Sequence, residues 1–146
     1  MTTEDYLALL QQARADGDYS AVIRAIPYAN TIGVQLFEMG SQPTFLLPKN
    51  KDNIGNPMLP AIHGGVIGGF MEMSASLHLL LMNETAALPK IIDFSLDYLR
   101  AGRHTDTYAS CQVWRQGNRV ANVAINAWQT DIDQPIATAR AHFLMV

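Results

Sequence analysis

The spacing of hydrophobic and polar residues changes several times along the chain, and each change predicts a different element. Residues 2–14 have an amphipathic helical pattern with acidic residues in the first turn, and a second short helix is expected over 20–26, ending at Pro27. Strand-like alternation predicts two strands before residue 50 and four after residue 89: 32–39, 44–47, 90–100, 106–116, 119–131 and 136–145.

A long apolar segment, Gly64–Met82, lies between these two groups of strands and follows a loop over 48–60. Its length approaches that of a membrane span. Glu72 and His78 interrupt it and its first third is rich in glycine, so we predict a helix buried in protein. Strands that surround one long helix predict an α+β fold with an antiparallel sheet and additional N-terminal helices.

The length and composition narrow the function. The 146 residues suit one domain, 1–146, with 1–30 as an N-terminal helical extension. The formal net charge of -3 and the absence of a basic stripe argue against nucleic-acid binding. Cys111 is the single cysteine, which excludes an intrachain disulfide and a paired-cysteine metal site. Because the N-terminus has no secretory pattern, we expect a cytoplasmic protein that binds no membrane.

The densest cluster of chemically unusual residues covers 53–76, and its first feature is His63-Gly64-Gly65, where the loop meets the long helix. The first N–H groups of a helix have no partner within the helix and lie at its positive end, and glycines leave them accessible. Such groups can hold a carbonyl oxygen as it gains negative charge. The same residues also suit an ordinary helix start, with His63 as its cap and the glycines as packing positions.

Glu72 is the second signal, because a carboxylate among apolar helix residues must be paired, protonated or placed in a cleft. The helix is apolar on nearly every side, which favours a functional acid over a solvated one. Glu72 shares one face at helical spacing with Ser76, Gly65 and either Gly68 or Gly69, and this face can line a ligand groove or pack on the sheet through its glycines. Asn56 precedes Pro57 and can either polarise a carbonyl or form the turn that Asn-Pro favours. The histidines have no metal-ligand spacing, so no metal is predicted.

These residues together resemble a known family. The segment NPMLPAIHGGVIGGFMEMSAS resembles the active-site segment of hotdog-fold thioesterases of the phenylacetate-pathway and 4-hydroxybenzoyl-CoA type, in which an acid follows the HGG histidine by nine residues. The later segments IDFSLDYLRAG, QGNRVANV and PIATARAHF are also similar, so the resemblance covers roughly residues 32–146. One departure is the polar residue before HGG, which lies seven positions ahead as Asn56, where the family often has six.

The resemblance implies a sheet wrapped around the long helix and a dimer whose two sites lie at the subunit interface. It implies that the Gly64 N–H polarises the thioester carbonyl and that Glu72 either activates water or attacks directly. Asn56 of one subunit would position substrate or water in the site of the other. Ser76 would assist the carboxylate or the leaving thiol, and His63 would orient the loop.

The resemblance also implies an acyl-CoA substrate and no cofactor beyond the CoA that the substrate carries. Its phosphates would need basic groups, for which Arg100 and Arg103 at a strand end are candidates, although solvated surface arginines are an equal interpretation. The acyl group is expected to be either aromatic or medium-chain, and the protein is expected to form a homodimer or a dimer of dimers.

Two other functions are possible on the same fold. A hydratase or dehydratase of acyl carriers pairs its acid with a histidine upstream of a segment like NPMLP, but this chain has no histidine before His63. A non-catalytic acyl-CoA-binding domain would not need Glu72. The sequence therefore favours a thioesterase, while fold alone would not decide between the three.

Overall fold

The structure, a computed structural model, describes residues 1–83 and 87–145. Three helices come first, then four short strands in two pairs, one long helix and four longer strands. The helices are α1 Thr3–Asp16, α2 Ser20–Arg24, α3 Pro27–Ile32 and α4 Gly64–Met82. The strands are β1 Gln35–Glu38, β2 Thr44–Leu47, β3 Ile54–Asn56, β4 Ala61–Ile62, β5 Lys90–Tyr98, β6 Thr107–Gln116, β7 Val120–Trp128 and β8 Ala137–Leu144.

Six of these strands form one antiparallel sheet in the order β1-β2-β6-β7-β8-β5, and β3 pairs with β4 beside it. Helix α4 packs against β5, β6, β7 and β8, so the sheet curves around it. The core is formed by side chains of α4 and of the inward face of the sheet, including Phe70, Leu77, Phe45 and Phe143. This is the predicted α+β hotdog fold with additional N-terminal helices.

The long helix begins and ends at the predicted residues, Gly64 and Met82. It is long and apolar enough to cross a membrane by length and composition, but most of its residues are buried within the protein. Its apolar residues are therefore accounted for by the core, as the sequence predicted.

The N-terminal region differs from the prediction at Pro27. This residue was predicted only to end a helix, but it is the first residue of α3. Proline suits the first helical position because its missing N–H would have no helical partner there. As a result α3 covers Ile32, the residue predicted to begin the first strand, and Gly33 ends the helix with a positive φ of 92°.

Strand β5 also departs from the predicted alternation. Its pairing with β8 slips between Ile91 and Asp93, so Ile92 is an extra residue at a bulge and is exposed. Beyond the bulge, Phe94, Leu96 and Tyr98 lie opposite the buried alanines of β8 and face α4. After the bulge the side chains alternate regularly, and this alternation places Tyr98 on the face of β5 that meets the start of α4.

Candidate active site

The chain enters α4 through the β3–β4 hairpin, which packs tightly around His63. A Cβ atom on Gly55 of β3 would lie 2.7 Å from the His63 Cα, so only glycine fits there. The His63 N–H donates to the Asn53 carbonyl (2.9 Å), and the Ile62 N–H donates to the Gly102 carbonyl (2.8 Å). The segment before the helix is therefore fixed on two sides.

His63 is the N-cap of α4. Its Nδ1 accepts a hydrogen bond from the Gly65 N–H at 2.9 Å, and its carbonyl accepts from the Val66 and Ile67 N–H groups. The Gly64 N–H has no hydrogen-bond partner among the described residues. The N–H groups of the next three residues all donate to His63. The Gly64 N–H therefore remains available to bind a carbonyl oxygen.

The hydroxyl of Tyr98, the last residue of β5, donates a hydrogen bond of 2.6 Å to the Gly64 carbonyl. A Cβ atom on Gly64 would lie 3.1 Å from this hydroxyl. The peptide unit that joins Gly64 to Gly65 is thus held at its carbonyl by Tyr98 and at its N–H by His63.

Glu72 lies two turns further along α4 and is half-buried. Within residues 1–83 and 87–145, no hydrogen bond or ion pair engages its carboxylate. Burial raises the pKa of Glu72 above its ordinary value. A partly desolvated carboxylate without a partner is the state expected of an acid/base or nucleophilic group.

Gly64 and Glu72 cannot act on the same atom within one chain. Eight residues separate them on a helix that rises about 1.5 Å per residue, so they lie roughly 12 Å apart along the axis. A carbonyl oxygen on the Gly64 N–H is therefore out of reach of the Glu72 of the same chain.

The other predicted polar residues lie on both sides of this region. The Asn56 Oδ1 accepts from the Met58 N–H at 3.0 Å, which is the turn that Asn-Pro favours, and its exposed side-chain NH₂ makes no bond among the described residues. Ser76, one turn beyond Glu72, is buried and its hydroxyl makes no hydrogen bond within the described part of the chain. Gly65 lies in the first turn with its N–H committed to His63.

The two candidate arginines follow β5 on the segment that reaches the start of α4. Arg103 pairs through its backbone with Ala61, two residues before His63, and Gln129 bonds both its N–H and its carbonyl. Arg100 donates to the Gln134 side chain at 3.2 Å. Both arginines are exposed, which leaves their charges accessible to an anion.

Three residues that the sequence analysis did not select also shape this region. Tyr98 is the first. Asn53 is buried and its side chain donates to the Ile32 carbonyl at 2.9 Å, which ties α3 to the loop that holds His63. Tyr28 of α3 lies against α4 where a Cβ on Gly69 would be, one turn before Glu72. Alternation in β5 could have indicated Tyr98, whereas Asn53 and Tyr28 depend on tertiary contacts.

Comparison with known proteins agrees with this arrangement. The sequence model of the thioesterase superfamily matches residues 59–136, which include Gly64, Glu72 and all of α4. The chain belongs to the thioesterase superfamily. It is an enzyme that hydrolyses thioesters, and the resemblance to hotdog-fold acyl-CoA thioesterases is confirmed.

Individual relatives support the same assignment. The medium/long-chain acyl-CoA thioesterase YigI of Escherichia coli is 28% identical over 134 residues, which cover 82% of this thioesterase and 86% of the relative. A protein of Chromobacterium violaceum is 42% identical, with a TM-score of 0.78 over 94% of this chain and 96% of that one. A thioesterase from Haemophilus influenzae shares the fold, with 17% identity and a TM-score of 0.74 over 84% and 85%.

Proposed function

We propose that this thioesterase hydrolyses acyl-CoA with Glu72 of one subunit and the Gly64 N–H of another. The observation that carries the proposal is the half-buried, unpartnered Glu72 carboxylate on the helix whose first N–H is also unoccupied. The Gly64 N–H would hold the thioester oxygen, and the positive end of α4 would stabilise the charge that develops on it.

Two routes are compatible with Glu72. As a general base it would take a proton from water, whose oxygen attacks the carbonyl carbon; the C–S bond then breaks and the CoA thiolate takes up the proton. As a nucleophile it would form an acyl-glutamyl anhydride as the thiolate leaves, and water would then hydrolyse the anhydride. The products are the same free acid and CoA in both cases.

The separation of about 12 Å between Gly64 and Glu72 supports a dimer, because a second copy would bring the missing group to each site. Strand β5 is an edge of the sheet, it is nine residues long, and Ile91 and Ile92 near its start are exposed. Such an edge is suited to pairing with the same edge of a second copy. We propose a homodimer of this kind, or a dimer of such dimers.

The remaining site residues have supporting roles in this proposal. His63 and Gly65 fix the helix start, and Ser76 is one turn from Glu72, where its hydroxyl can assist the carboxylate or the leaving thiolate. The side-chain NH₂ of Asn56 would position substrate or water from the partner subunit. Arg100 and Arg103 would bind the phosphates of CoA.

We propose an apolar acyl group, either aromatic or medium-chain. Met58 and Leu59, in the turn between β3 and β4, are 89% and 66% exposed and would bury apolar area against such a group. The name of the Escherichia coli relative, a medium/long-chain acyl-CoA thioesterase, is consistent with an aliphatic chain. The cytoplasmic location stays a prediction.

The first experiment is a panel of benzoyl-, phenylacetyl-, octanoyl- and palmitoyl-CoA, with a thiol-trapping dye to follow release of CoA. Glu72→Ala should lower kcat by about 10²–10⁴-fold on the preferred substrate. Glu4→Gln, an exposed acid on α1, is the matched control and should leave kcat unchanged. Hydrolysis by Glu72→Ala at the wild-type rate would contradict the proposed role.

A second experiment tests whether the site forms between subunits. Gly64→Pro removes the N–H at a first helical position, where proline is tolerated, and His63 already has the extended backbone that precedes proline. Mixed dimers of Gly64→Pro and Glu72→Ala subunits should recover about a quarter of wild-type activity, since half the dimers are mixed and each has one intact site. No recovery would contradict a shared site.

A further inference from the structure

We infer that Tyr98 is a positioning residue for hydrolysis: its hydroxyl orients the peptide unit that follows the Gly64 N–H and thereby holds that N–H in place for the thioester oxygen. The inference rests on the proposed function of Gly64 and extends it to a residue on a different strand. Its basis is the 2.6 Å hydrogen bond from the Tyr98 hydroxyl to the Gly64 carbonyl.

The position of this bond makes it unusual among helix contacts. The Gly64 carbonyl belongs to the helix, where it would ordinarily accept only from the residue four positions later. Tyr98 adds a second donor to the same oxygen, and the N–H of the same peptide unit donates to His63 Nδ1 at 2.9 Å. Both ends of the peptide unit are thus fixed by side chains, and φ and ψ of Gly64 have little freedom.

Glycine at this position requires such a restraint. Without a Cβ, Gly64 populates more backbone conformations than any other residue, so an N–H that must face a carbonyl oxygen would otherwise sample several directions. The phenol ring also approaches the Cα of Gly64, since a Cβ there would lie 3.2 Å from its Cζ. Gly64 has no side chain to limit its backbone conformation. Tyr98 limits that conformation instead, through a hydrogen bond and through contact.

Strand β5 explains how Tyr98 is itself held. Tyr98 pairs with Ala137 of β8, and the next N–H groups, of Leu99 and Arg100, both donate to the Ile136 carbonyl. Tyr98 is 54% exposed, so removal of its hydroxyl removes little buried surface area. Loss of the hydroxyl should therefore change the helix start more than the stability of the fold.

The test compares Tyr98→Phe with Tyr108→Phe, which removes the hydroxyl of a tyrosine that stacks on Trp128 in the same sheet. A complete oxyanion donor is worth about 10²–10³-fold in kcat, and loss of its orientation should cost about 10-fold, with KM little changed. Tyr108→Phe should keep the wild-type kcat. A Tyr98→Phe enzyme with the wild-type kcat and KM would overturn the inference.

Two non-natural amino acids at position 98 test the inference independently of Tyr98→Phe. Replacement of Tyr98 by 4-aminophenylalanine keeps a donor at the ring end, whereas 4-methylphenylalanine keeps only the shape. The amino variant should stay within about threefold of the wild-type kcat, and the methyl variant should lose about as much as Tyr98→Phe. Equal kcat values for the two would show that the hydroxyl acts by shape, and would overturn the inference.

A spectroscopic measurement separates this inference from the proposed function. In Glu72→Gln enzyme, which should bind but hardly hydrolyse, the infrared stretch of a ¹³C-labelled thioester carbonyl reports its polarisation. A shift to lower frequency on binding is expected, and Tyr98→Phe in the same background should reduce it. An unchanged shift would overturn the role of Tyr98 alone. No shift on binding, together with a wild-type enzyme that hydrolyses no acyl-CoA, would overturn the proposed function and this inference with it.

Discussion

The two halves of α4 differ in burial, although the helix as a whole is apolar. From Ser74 to Leu81 every residue is buried, and the helix is a core element. From Gly64 to Met73 several positions are half-buried or exposed, Glu72 among them, and the Gly64 N–H is unoccupied. Gly64 and Glu72, the residues proposed for catalysis, lie where the core is interrupted, so substitutions in the two halves should affect different measurements.

Leu77→Ala should show the largest difference between the two halves of α4, because it should lower stability without lowering kcat. Leu77 is fully buried, and truncation of such a leucine costs about 2–5 kcal/mol of unfolding free energy through lost transfer energy and a cavity. Urea unfolding followed by circular dichroism measures this loss. The kcat of the protein that remains folded should equal that of wild type, and a loss of kcat at full occupancy of the folded state would contradict the comparison.

In the first half of α4, Gly64→Pro should lower activity, whereas Leu77→Ala in the second half lowers stability. Removal of one oxyanion donor costs about 10²–10³-fold in kcat. Gly64→Ala is the matched control, because it adds the same Cβ near Tyr98, at 3.1 Å from its hydroxyl, but keeps the N–H. Steady-state kinetics on the preferred acyl-CoA measure both, and equal kcat values for the two variants would exclude a role of this N–H.

The sequence predicted the residues at the start of α4 but not the contacts that hold them in place. The bounds of α4 and the positions of His63, Gly64 and Glu72 follow from local pattern, since caps, glycines and buried acids have residue-level signals. The pattern could not show that Asn53 fixes the loop before His63 or that Tyr28 lies on Gly69, because these contacts join segments distant in sequence. The role of Pro27 was also missed: the same residue ends one helix or begins another, and the chain around it decides which.

Gly55→Ala tests how the hairpin supports the first half of α4. A methyl group would meet the His63 Cα at 2.7 Å, so backbone or imidazole must move, and a displacement of 1 Å at a site can cost about 100-fold in rate. We expect a loss of kcat of about 10- to 100-fold. Gly117→Ala in the β6–β7 turn is the control, because its nearest atom would be 3.7 Å away and no site lies there. Similar kinetics for both variants would show that the hairpin does not position His63.

The smallest expected effect is a pH-dependent gain of stability in Glu72→Gln. Burial raises the pKa of Glu72 in the folded protein above its value in the unfolded chain. The folded state therefore binds this proton more tightly, and the stability that the group contributes is complete below the unfolded pKa and is lost as pH rises through the folded pKa. Glutamine carries no charge and should escape that loss. The variant should thus gain stability over wild type between acidic and neutral pH, measured by urea unfolding at several pH values. Leu77→Ala carries no change in titratable groups, so its deficit should stay constant over the same range. A gain by Glu72→Gln that is independent of pH would show that shape, and not the buried charge, destabilises this half of the helix.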